Sequence, residues 1–231
     1  MRVLLTNDDG IHAPGLYALY KEIKKIAQVM IVAPETEQSA VGHAITLTMP
    51  LKVSEVYKDG KFFGFATTGT PADCVKLAIM TLLKQKPDII ISGINLGPNV
   101  GISVLYSGTV CGATEGAILG VPSFAVSLGT FHNPKFTYAA EFARKLAGLI
   151  YKNSKNDRLL LNVNIPALPR EKIKGVKIAK MGITSFKEKF QKRTDPRKKV
   201  YYWLTGNELE KRSEDSDVEA VRKGYVAITP L

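Results

Sequence analysis

Two adjacent carboxylates, Asp8 and Asp9, follow directly on an apolar run at residues 3–5, within the segment Asn-Asp-Asp-Gly at 7–10. A short aliphatic run of this kind predicts a buried strand in a parallel sheet, and ligands collect beyond the carboxyl ends of such strands. Neighbouring carboxylates that leave water repel each other, so they need solvent, a shared proton or a cation. Asn, Asp and Gly are also common turn residues, so the segment taken alone fits a solvated turn as well.

Two further oxygen donors follow apolar runs that we predict to be neighbouring strands. Ser39 comes after the run at 29–33, and Asn95 after the run at 89–92. Right-handed crossovers bring the carboxyl ends of parallel strands to one edge of a sheet, which would gather these side chains beside Asp8 and Asp9. Carboxylate, hydroxyl and amide oxygens are hard donors, so the set favours Mg²⁺ or Mn²⁺ over zinc or copper.

A glycine-rich and asparagine-rich stretch at 93–101 indicates a place for an anion beside that cation. Glycines allow a ligand to approach the backbone, and Ser107, Gly108 and Thr109 open a predicted helix whose free amides and hydroxyls would bind phosphate. An ordinary long loop is the alternative. A divalent ion beside a bound phosphate can polarise a phosphoryl oxygen and activate water for in-line attack. Together these features predict a metal-dependent phosphatase.

The rest of the chain supplies the elements that would position these residues. Short apolar runs alternate with segments of helical periodicity, which is typical of an α/β fold with a parallel sheet. A change to alternating residues within 45–67 predicts an edge hairpin with its turn at 58–61. The remaining predictions are strands at 29–33, 89–92, 121–127 and 159–163 and helices that begin near Pro14, Thr70, Ser107 and Phe136.

The composition shifts after residue 173 to mixed strands at 176–178 and 200–204, joined by a basic loop. We therefore divide the chain into a catalytic core, 1–170, and a smaller β-rich appendage, 171–231. The appendage is expected to serve oligomerisation and substrate access, and one that reaches across to another subunit is an option.

Composition places the chain among globular proteins, with 231 residues, 45% hydrophobic and 23% charged. No apolar run approaches the roughly 20 residues of a membrane span, and the amino terminus lacks the apolar region of a signal peptide. We expect a cytoplasmic protein. Cys74 and Cys111 lack the spacing of a metal site, so they are predicted to be reduced core residues.

A formal net charge of +11 suggests an anionic partner, and much of the charge lies at 187–199, in the run KEKFQKRTDPRKK. This run is interpreted as a solvated or substrate-steering loop. An arm that binds nucleic acid is the alternative, although no stacking aromatic residues alternate through the run as single-strand binding requires. A steep salt dependence of binding to duplexes or single strands would favour that alternative.

The chain resembles the SurE family, the stationary-phase survival proteins that act as metal-dependent nucleotide phosphatases. The resemblance is carried by motifs that run nearly from end to end: NDDG at Asn7, HAPG at His12, VAP at Val32, GTPADCV at Gly69, SGINLGPN at Ser92, YSGTV at Tyr106, LNVNIP at Leu161, DPR at Asp195 and GYVAITPL at Gly224.

The resemblance implies hydrolysis of nucleoside monophosphates, with 3′-nucleotides and short polyphosphate as further substrates, in a Rossmann-like three-layer fold. It implies one Mg²⁺ or Mn²⁺ per subunit, held by Asp8, Asp9, Ser39 and Asn95. The phosphate site would be lined by Asn99, Ser107, Gly108 and Thr109, with Asp8, Asp9 and Asn99 as catalytic residues. Assembly as a dimer or tetramer through an exchanged carboxy-terminal segment is also implied, without a membrane or a specific nucleic acid as partner.

Two positions depart from the family pattern. Ser103 stands where relatives commonly carry an aspartate, so no role of that acid is transferred to this chain. Relatives often continue past TPL into a helix, whereas this sequence stops at Leu231, so either the chain is short or the assembly differs. His12 and His43 lie in loops near the acidic pair and could protonate a leaving alkoxide, but hydrogen bonding within their own loops is the favoured interpretation. No general acid is assigned.

Two other classes of protein that form an aspartyl phosphate share part of this pattern. A receiver-type signalling domain also has adjacent carboxylates after its first strand, but it needs an aspartate at a later strand end, where this chain has Ser92 and Ser127. An aspartyl-phosphate hydrolase would carry Asp-x-Asp at this place. A covalent phosphoenzyme would indicate either of these in place of direct attack by water.

Overall fold

A computed structural model of the chain describes residues 1–153, 158–183, 186–208 and 213–231. Its main feature is a nine-stranded sheet with the strand order β3-β4-β2-β1-β5-β6-β7-β11-β8, and β9 and β10 form a separate two-stranded sheet. The strands are β1 (Arg2–Thr6), β2 (Gln28–Pro34), β3 (Val53–Lys58), β4 (Lys61–Thr67), β5 (Ile89–Leu96), β6 (Ser123–Gly129), β7 (Leu160–Pro166), β8 (Val176–Ile178), β9 (Phe186–Thr194), β10 (Val200–Glu208) and β11 (Val226–Pro230).

Helices cover both faces of the large sheet. On one face α1 packs on α4, and on the other α2 packs on α3. A π-helical turn at Ala78–Leu82 continues α2. The helices are α1 (Pro14–Ile23), α2 (Pro71–Leu77), α3 (Gly108–Ile118), α4 (Thr137–Asn153) and α5 (Asp217–Arg222).

The first strand shows why the central strands are apolar without alternation. Val3 and Leu5 belong to the hydrophobic core beneath α1 and α4, whereas Leu4 belongs to the core beneath α2. All three side chains are almost completely buried, and such burial contributes roughly 1.5–3 kcal/mol for each side chain of this size. β1 is therefore fixed at the centre of the sheet, with its carboxyl end at one edge.

The α/β prediction is confirmed. Six neighbouring strands, from β4 through β2, β1, β5 and β6 to β7, are parallel, so their carboxyl ends share one edge. The predicted hairpin is also present: β3 and β4 pair antiparallel with Lys58 opposite Lys61, and β3 is the outer strand.

The carboxy-terminal region differs from the sequence interpretation in how its strands pair. β11 pairs antiparallel with β7 and parallel with β8, so both strands extend the large sheet. Among the strands of the described residues, those outside the large sheet are β9 and β10, which form a hairpin. The division of the chain at residue 170 remains a prediction, but the sheet crosses that boundary.

The interpretation of the basic run at 187–199 as a loop is wrong. Residues up to Thr194 belong to β9, and the turn to β10 is closed by the Asp195 carboxylate, which accepts a hydrogen bond from the Lys199 amide at 2.8 Å. The run forms a strand because the aromatic segment at 200–204 pairs with it, placing Tyr201 opposite Arg193 and Tyr202 opposite Lys192. At these two pairs an aromatic residue therefore lies opposite a basic residue across the hairpin, although aromatic residues do not alternate along the basic run itself.

Cys74 and Cys111 are free and buried, as predicted. Burial raises the pKa of the Cys74 thiol to about 12 and that of Cys111 to about 11, so both remain protonated at neutral pH. Among the residues that the structure describes, no helix is both long enough and apolar enough to cross a membrane.

Helix α1 approaches β5 so closely that only glycine fits at residue 15. A Cβ atom there would lie 2.1 Å from the backbone oxygen of Ile94.

We expect Gly15→Ala to destabilise the protein by about 1–3 kcal/mol or more, because the helix must move away from the sheet. Gly148 of α4 has open space around it. Gly148→Ala should therefore stabilise the fold by up to about 1 kcal/mol, because alanine is the better helix former. Urea unfolding of both variants measures the difference, and equal effects would contradict the close packing of α1.

Candidate active site

The acidic pair lies in the turn directly after β1, at the shared edge of the parallel strands. The Asn7 side chain donates a hydrogen bond to the Gly10 carbonyl at 2.9 Å and closes the turn. Gly10 has a φ of +94°, a conformation that favours glycine, and it packs against the backbone just after β2. The turn thus presents Asp8 and Asp9 in fixed directions.

Asp8 points toward the start of α3. Its carboxylate accepts a hydrogen bond from the Thr109 amide at 2.9 Å and another from the Thr109 hydroxyl. The side chain is 7% exposed, and burial raises its pKa in spite of these two donors. Gly108 permits this approach, because a Cβ atom at that position would lie 2.9 Å from the Asp8 Cβ.

Asp9 points toward the end of β5, where it accepts a weak hydrogen bond from the Leu96 amide at 3.3 Å. Burial and the charge of Asp8 together raise the pKa of Asp9 to about 6, and Glu37 adds a further negative charge nearby. The pair thus consists of two carboxylates that have lost water and repel each other.

Ser39 lies on the loop after β2, which contacts the acidic turn through a hydrogen bond from the Gln38 amide to the Asp8 carbonyl at 2.8 Å. The Ser39 side chain is exposed, and its hydroxyl donates to the Glu37 carboxylate. A hydroxyl that donates its proton keeps its oxygen lone pairs for another partner. The structure thus brings this loop to the edge of the sheet that carries Asp8 and Asp9, here called the acidic edge. The Ser39 hydroxyl is turned toward Glu37.

Asn95 is half-buried near the end of β5 and is adjacent to Leu96, which binds Asp9. Its amide nitrogen donates to the Gly97 carbonyl at 2.8 Å. Because this hydrogen bond uses the nitrogen end of the amide, the amide oxygen is the end left to accept a partner. Asn95 and Asp9 are therefore on neighbouring segments of the same edge.

Asn99 is buried and its backbone is held from β7. The Asn164 side chain accepts from the Asn99 amide at 2.8 Å and donates to its carbonyl at 2.9 Å, and Asn162 also donates to that carbonyl at 2.8 Å. The Asn99 side chain donates to the Ser127 hydroxyl at 3.0 Å. An amide nitrogen carries two hydrogens, so one donor remains for a ligand.

The start of α3 is arranged differently from the predicted phosphate seat. The Ser107 hydroxyl caps the helix by accepting from the Val110 amide at 3.1 Å, and both Thr109 donors are engaged by Asp8. The anion at this helix start is therefore the Asp8 carboxylate itself, which the helix dipole and the free amides favour. A phosphate that binds Thr109 must share it with Asp8.

The three histidines have different surroundings. His43 reaches out of its loop and lies with Nε2 2.9 Å from the Glu115 carboxylate, which is buried in α3 and also contacts Lys76 at 2.5 Å. The loop after Ser39 is thereby fastened to α3, so the expectation that His43 bonds only within its own loop is wrong. His12 and His132 are exposed. Ser103 is half-buried, and its hydroxyl donates to the Val100 carbonyl at 2.5 Å.

Sequence reasoning missed Asp217 at the start of α5. This carboxylate is fully buried and accepts from the Gly101 amide at 3.0 Å and the Gly182 amide at 2.8 Å. It joins the glycine-rich loop to the carboxy-terminal region. The two asparagines of β7 were missed as supports for Asn99, although polar residues at alternate positions of a buried strand were a signal that could have found them.

The acidic edge fits a divalent cation. Two adjacent desolvated carboxylates are stabilised by a positive charge, and neutral oxygens are provided by Ser39 on the loop after β2 and by Asn95 near the end of β5. Within the described ranges, no group of three or more His, Cys, Asp or Glu side chains is arranged to hold a metal ion. A cation here would therefore rest on two carboxylates and neutral oxygens, which suits Mg²⁺ or Mn²⁺.

Comparison with known proteins gives consistent matches. The sequence model of the family described as "Survival protein SurE" matches residues 3–188. A protein of Syntrophus aciditrophicus named 5'-nucleotidase SurE is 54% identical, with 100% of this chain and 88% of that protein covered. One of Syntrophobacter fumaroxidans with the same name is 48% identical, with 100% and 93% covered. The crystal structure of the SurE protein from Aquifex aeolicus superposes with a TM-score of 0.87 at 41% identity, covering 100% of this chain and 93% of that one.

The raised pKa of Asp9 predicts how stability depends on pH without a metal. The pKa of Asp9 rises from 3.8 to about 6 on folding, so the folded state binds this proton more tightly than the unfolded chain does. The resulting stabilisation of the folded state is fully present below about pH 4 and is lost as the pH rises through about 6. In chelator, the Tm of the wild type should fall more steeply between about pH 4 and pH 6 than that of Asp9→Asn, whose amide does not titrate. Mg²⁺ should raise the wild-type Tm again at neutral pH. Thermal unfolding by circular dichroism measures both effects, and parallel pH curves for the two proteins would contradict the assignment.

Proposed function

The chain belongs to the SurE family, and from that premise we propose that it hydrolyses nucleoside monophosphates to nucleoside and phosphate at the edge that carries Asp8 and Asp9. Relatives aligned over the whole chain are named 5'-nucleotidase, and the chain is accordingly a phosphoric monoester hydrolase. The observation that carries the proposed site is the desolvated pair of adjacent carboxylates, because burial disfavours their negative charges and a cation bound between them would compensate this cost.

Asp8, Asp9, Ser39 and Asn95 would hold one Mg²⁺ or Mn²⁺ in this proposal. When bound, the ion supplies positive charge for the phosphoryl oxygens and lowers the pKa of a water that attacks phosphorus. The protein groups orient the acids: the Thr109 amide and hydroxyl fix Asp8, and the Leu96 amide fixes Asp9. Orientation of this kind reduces the reorganisation that the reaction would otherwise require.

The phosphate would be bound by Asn99, Ser107, Gly108 and Thr109, with Asp8, Asp9 and Asn99 as the catalytic residues. Support comes from the placement of Asn99, whose backbone is held by Asn162 and Asn164 of β7 while its side-chain amide keeps one free donor. In the reaction a water oxygen bonds to phosphorus, the ester bond to the leaving oxygen breaks, and that oxygen takes up a proton. We assign no side chain to this proton transfer.

The proposal extends to 3′-nucleotides and short polyphosphate as further substrates, and to a homodimer or homotetramer as the assembly. Exposed Phe190, Tyr202 and Trp203 on the hairpin of β9 and β10 support an assembly, since exposed aromatic side chains grouped on one element are typical of contact surfaces. The cytoplasmic location remains a prediction.

The acidic pair can be tested by replacing each member with its amide. Asp8→Asn or Asp9→Asn should lower divalent-dependent phosphate release at least about 100-fold, because a neutral amide neither binds the cation nor orients it as a carboxylate does. Phosphate release should be measured on 5′- and 3′-nucleotides and polyphosphate, with and without chelator, and Mn²⁺ binding by electron paramagnetic resonance.

Asp59→Asn provides the matched control for this experiment. Asp59 lies in the hairpin turn with a φ of +51°, which asparagine adopts readily, so the change should affect neither measurement. Full activity or unchanged Mn²⁺ binding in the Asp8 and Asp9 variants would remove the acidic pair from the mechanism.

The basic hairpin is expected to attract substrate without taking part in the reaction. Neutralising Lys192, Arg193, Lys198 and Lys199 together should raise KM about two- to tenfold at low salt and leave kcat nearly unchanged, because exposed charges act at long range and are screened by salt. Steady-state kinetics at two ionic strengths measures this effect. A collapse of kcat would place the hairpin inside the active site, and tight, strongly salt-dependent binding of nucleic acid would favour the nucleic-acid alternative.

A further inference from the structure

The loop after β6 brings an aromatic residue to the glycine-rich loop of the candidate site. β6 is the neighbour of β5, with Ser127 opposite Asn95 and Leu128 opposite Leu96. The Gly97 amide donates to the Leu128 carbonyl at 3.0 Å, so the segments that follow β5 and β6 remain adjacent beyond the paired residues. Whatever follows Leu128 therefore lies beside the segment that binds Asp9.

Phe131 is the residue that occupies this place. Its ring rests on Gly97, because a Cβ atom built at Gly97 would lie 2.2 Å from the Phe131 Cε1 and 2.7 Å from its Cζ. Gly97 also has a φ of +108°, so glycine is required there for both the backbone and the contact. Phe131 is nevertheless 66% exposed, so much of the residue faces solvent.

The loop that carries Phe131 is held in place by its neighbours on both sides. The Thr130 hydroxyl accepts from the His132 amide at 3.1 Å and donates to the His132 carbonyl at 2.9 Å, and the Thr130 amide donates to the Leu128 carbonyl at 2.7 Å. These bonds close a tight turn with Phe131 at its tip. The ring is thereby presented at a defined place, and little ordering is needed when a ligand binds.

We propose that Phe131 is the platform on which the base of a nucleoside monophosphate stacks. The proposal rests on the proposed function, which puts the phosphate near Asp9 and Asn99. Asp9 is bound by the Leu96 amide, directly before Gly97, and Asn99 follows Gly97 by two residues. A ribose separates phosphate from base, so a base extending from that position along the sheet edge toward β6 meets the ring on Gly97. Stacking on an aromatic ring accepts any base, since every base has a π-face.

The test separates the base from the rest of the substrate. KM and kcat are measured with AMP, UMP and ribose 5-phosphate, which keeps the sugar and the phosphate but has no base. Phe131→Leu keeps an apolar contact with Gly97 and removes the aromatic face, and Phe131→Tyr keeps the face. Tyr151→Ala is the matched control, because Tyr151 is 52% exposed and lies beside Asp88 and Pro122 at the opposite edge of the sheet.

Phe131→Leu should raise KM for AMP about fivefold or more, and less for UMP, whose smaller ring overlaps less with the platform. Its KM for ribose 5-phosphate should stay within about twofold of the wild type, and Phe131→Tyr should resemble the wild type on all three substrates. Tyr151→Ala should change none of these values. An equal rise of KM for AMP and ribose 5-phosphate, or no rise for AMP, would overturn the proposal.

Two further results distinguish this proposal from others. If Phe131→Leu changes the molecular mass in sedimentation and alters all substrates alike, Phe131 is a contact between copies of the chain and not a platform for the base. If the wild type releases no phosphate from any nucleotide, the proposed function fails. Calorimetric titration with AMP then still decides the platform: binding that weakens in Phe131→Leu supports it, and absent or equal binding overturns it.

Discussion

The repulsion between Asp8 and Asp9 is the interaction on which the arrangement of the site depends. Two carboxylates on consecutive residues cannot both point into the same half-buried space without cost, and here they diverge. Asp8 turns to the start of α3, and Asp9 turns to the end of β5. Each acid thereby fixes one neighbouring element, but burial still outweighs the hydrogen bonds that each receives. The remaining imbalance is what makes a cation favourable at this edge.

This arrangement requires the elements to approach unusually closely, and small residues make the approach possible. Gly108 allows the start of α3 to reach Asp8, and Gly112 and Gly116 allow the same helix to lie on Ser92 and Ser123 of the sheet. A Cβ at Gly116 would be 2.3 Å from the Ser123 hydroxyl oxygen. Helix α3 is therefore positioned by its contact with the sheet before any ligand binds, and Thr109 is delivered to Asp8 as a consequence.

Local patterns in the sequence were enough to predict the parallel sheet and the edge at which Asp8 and Asp9 lie, whereas the members of the site remain a prediction. The apolar run before Asp8 identifies a central strand, and Asn95 lies near the end of the neighbouring strand β5, so topology alone brings them to one edge. What could not be predicted depends on partners distant in the chain. The aromatic strand at 200–204 converts the basic run into a strand, and Thr109 gives its donors to Asp8, about 100 residues earlier in the sequence. Neither contact has a signal within its own segment.

Asp217 shows how the carboxy-terminal region bears on the site. Its carboxylate is completely buried and accepts from three backbone amides: Gly101 on the glycine-rich loop, Gly182 after β8 and the adjacent Val218. A buried carboxylate that loses one of its donors is left poorly compensated, so the two segments favour each other's native position. Asn99 is close to Gly101 in sequence and is held separately by Asn162 and Asn164 of β7. Because β7 pairs with β11, the loop that carries Asn99 is connected to the carboxy-terminal region in two ways, through β7 and through Asp217. A change in the packing of that region would therefore reach the candidate phosphate site through these bonds.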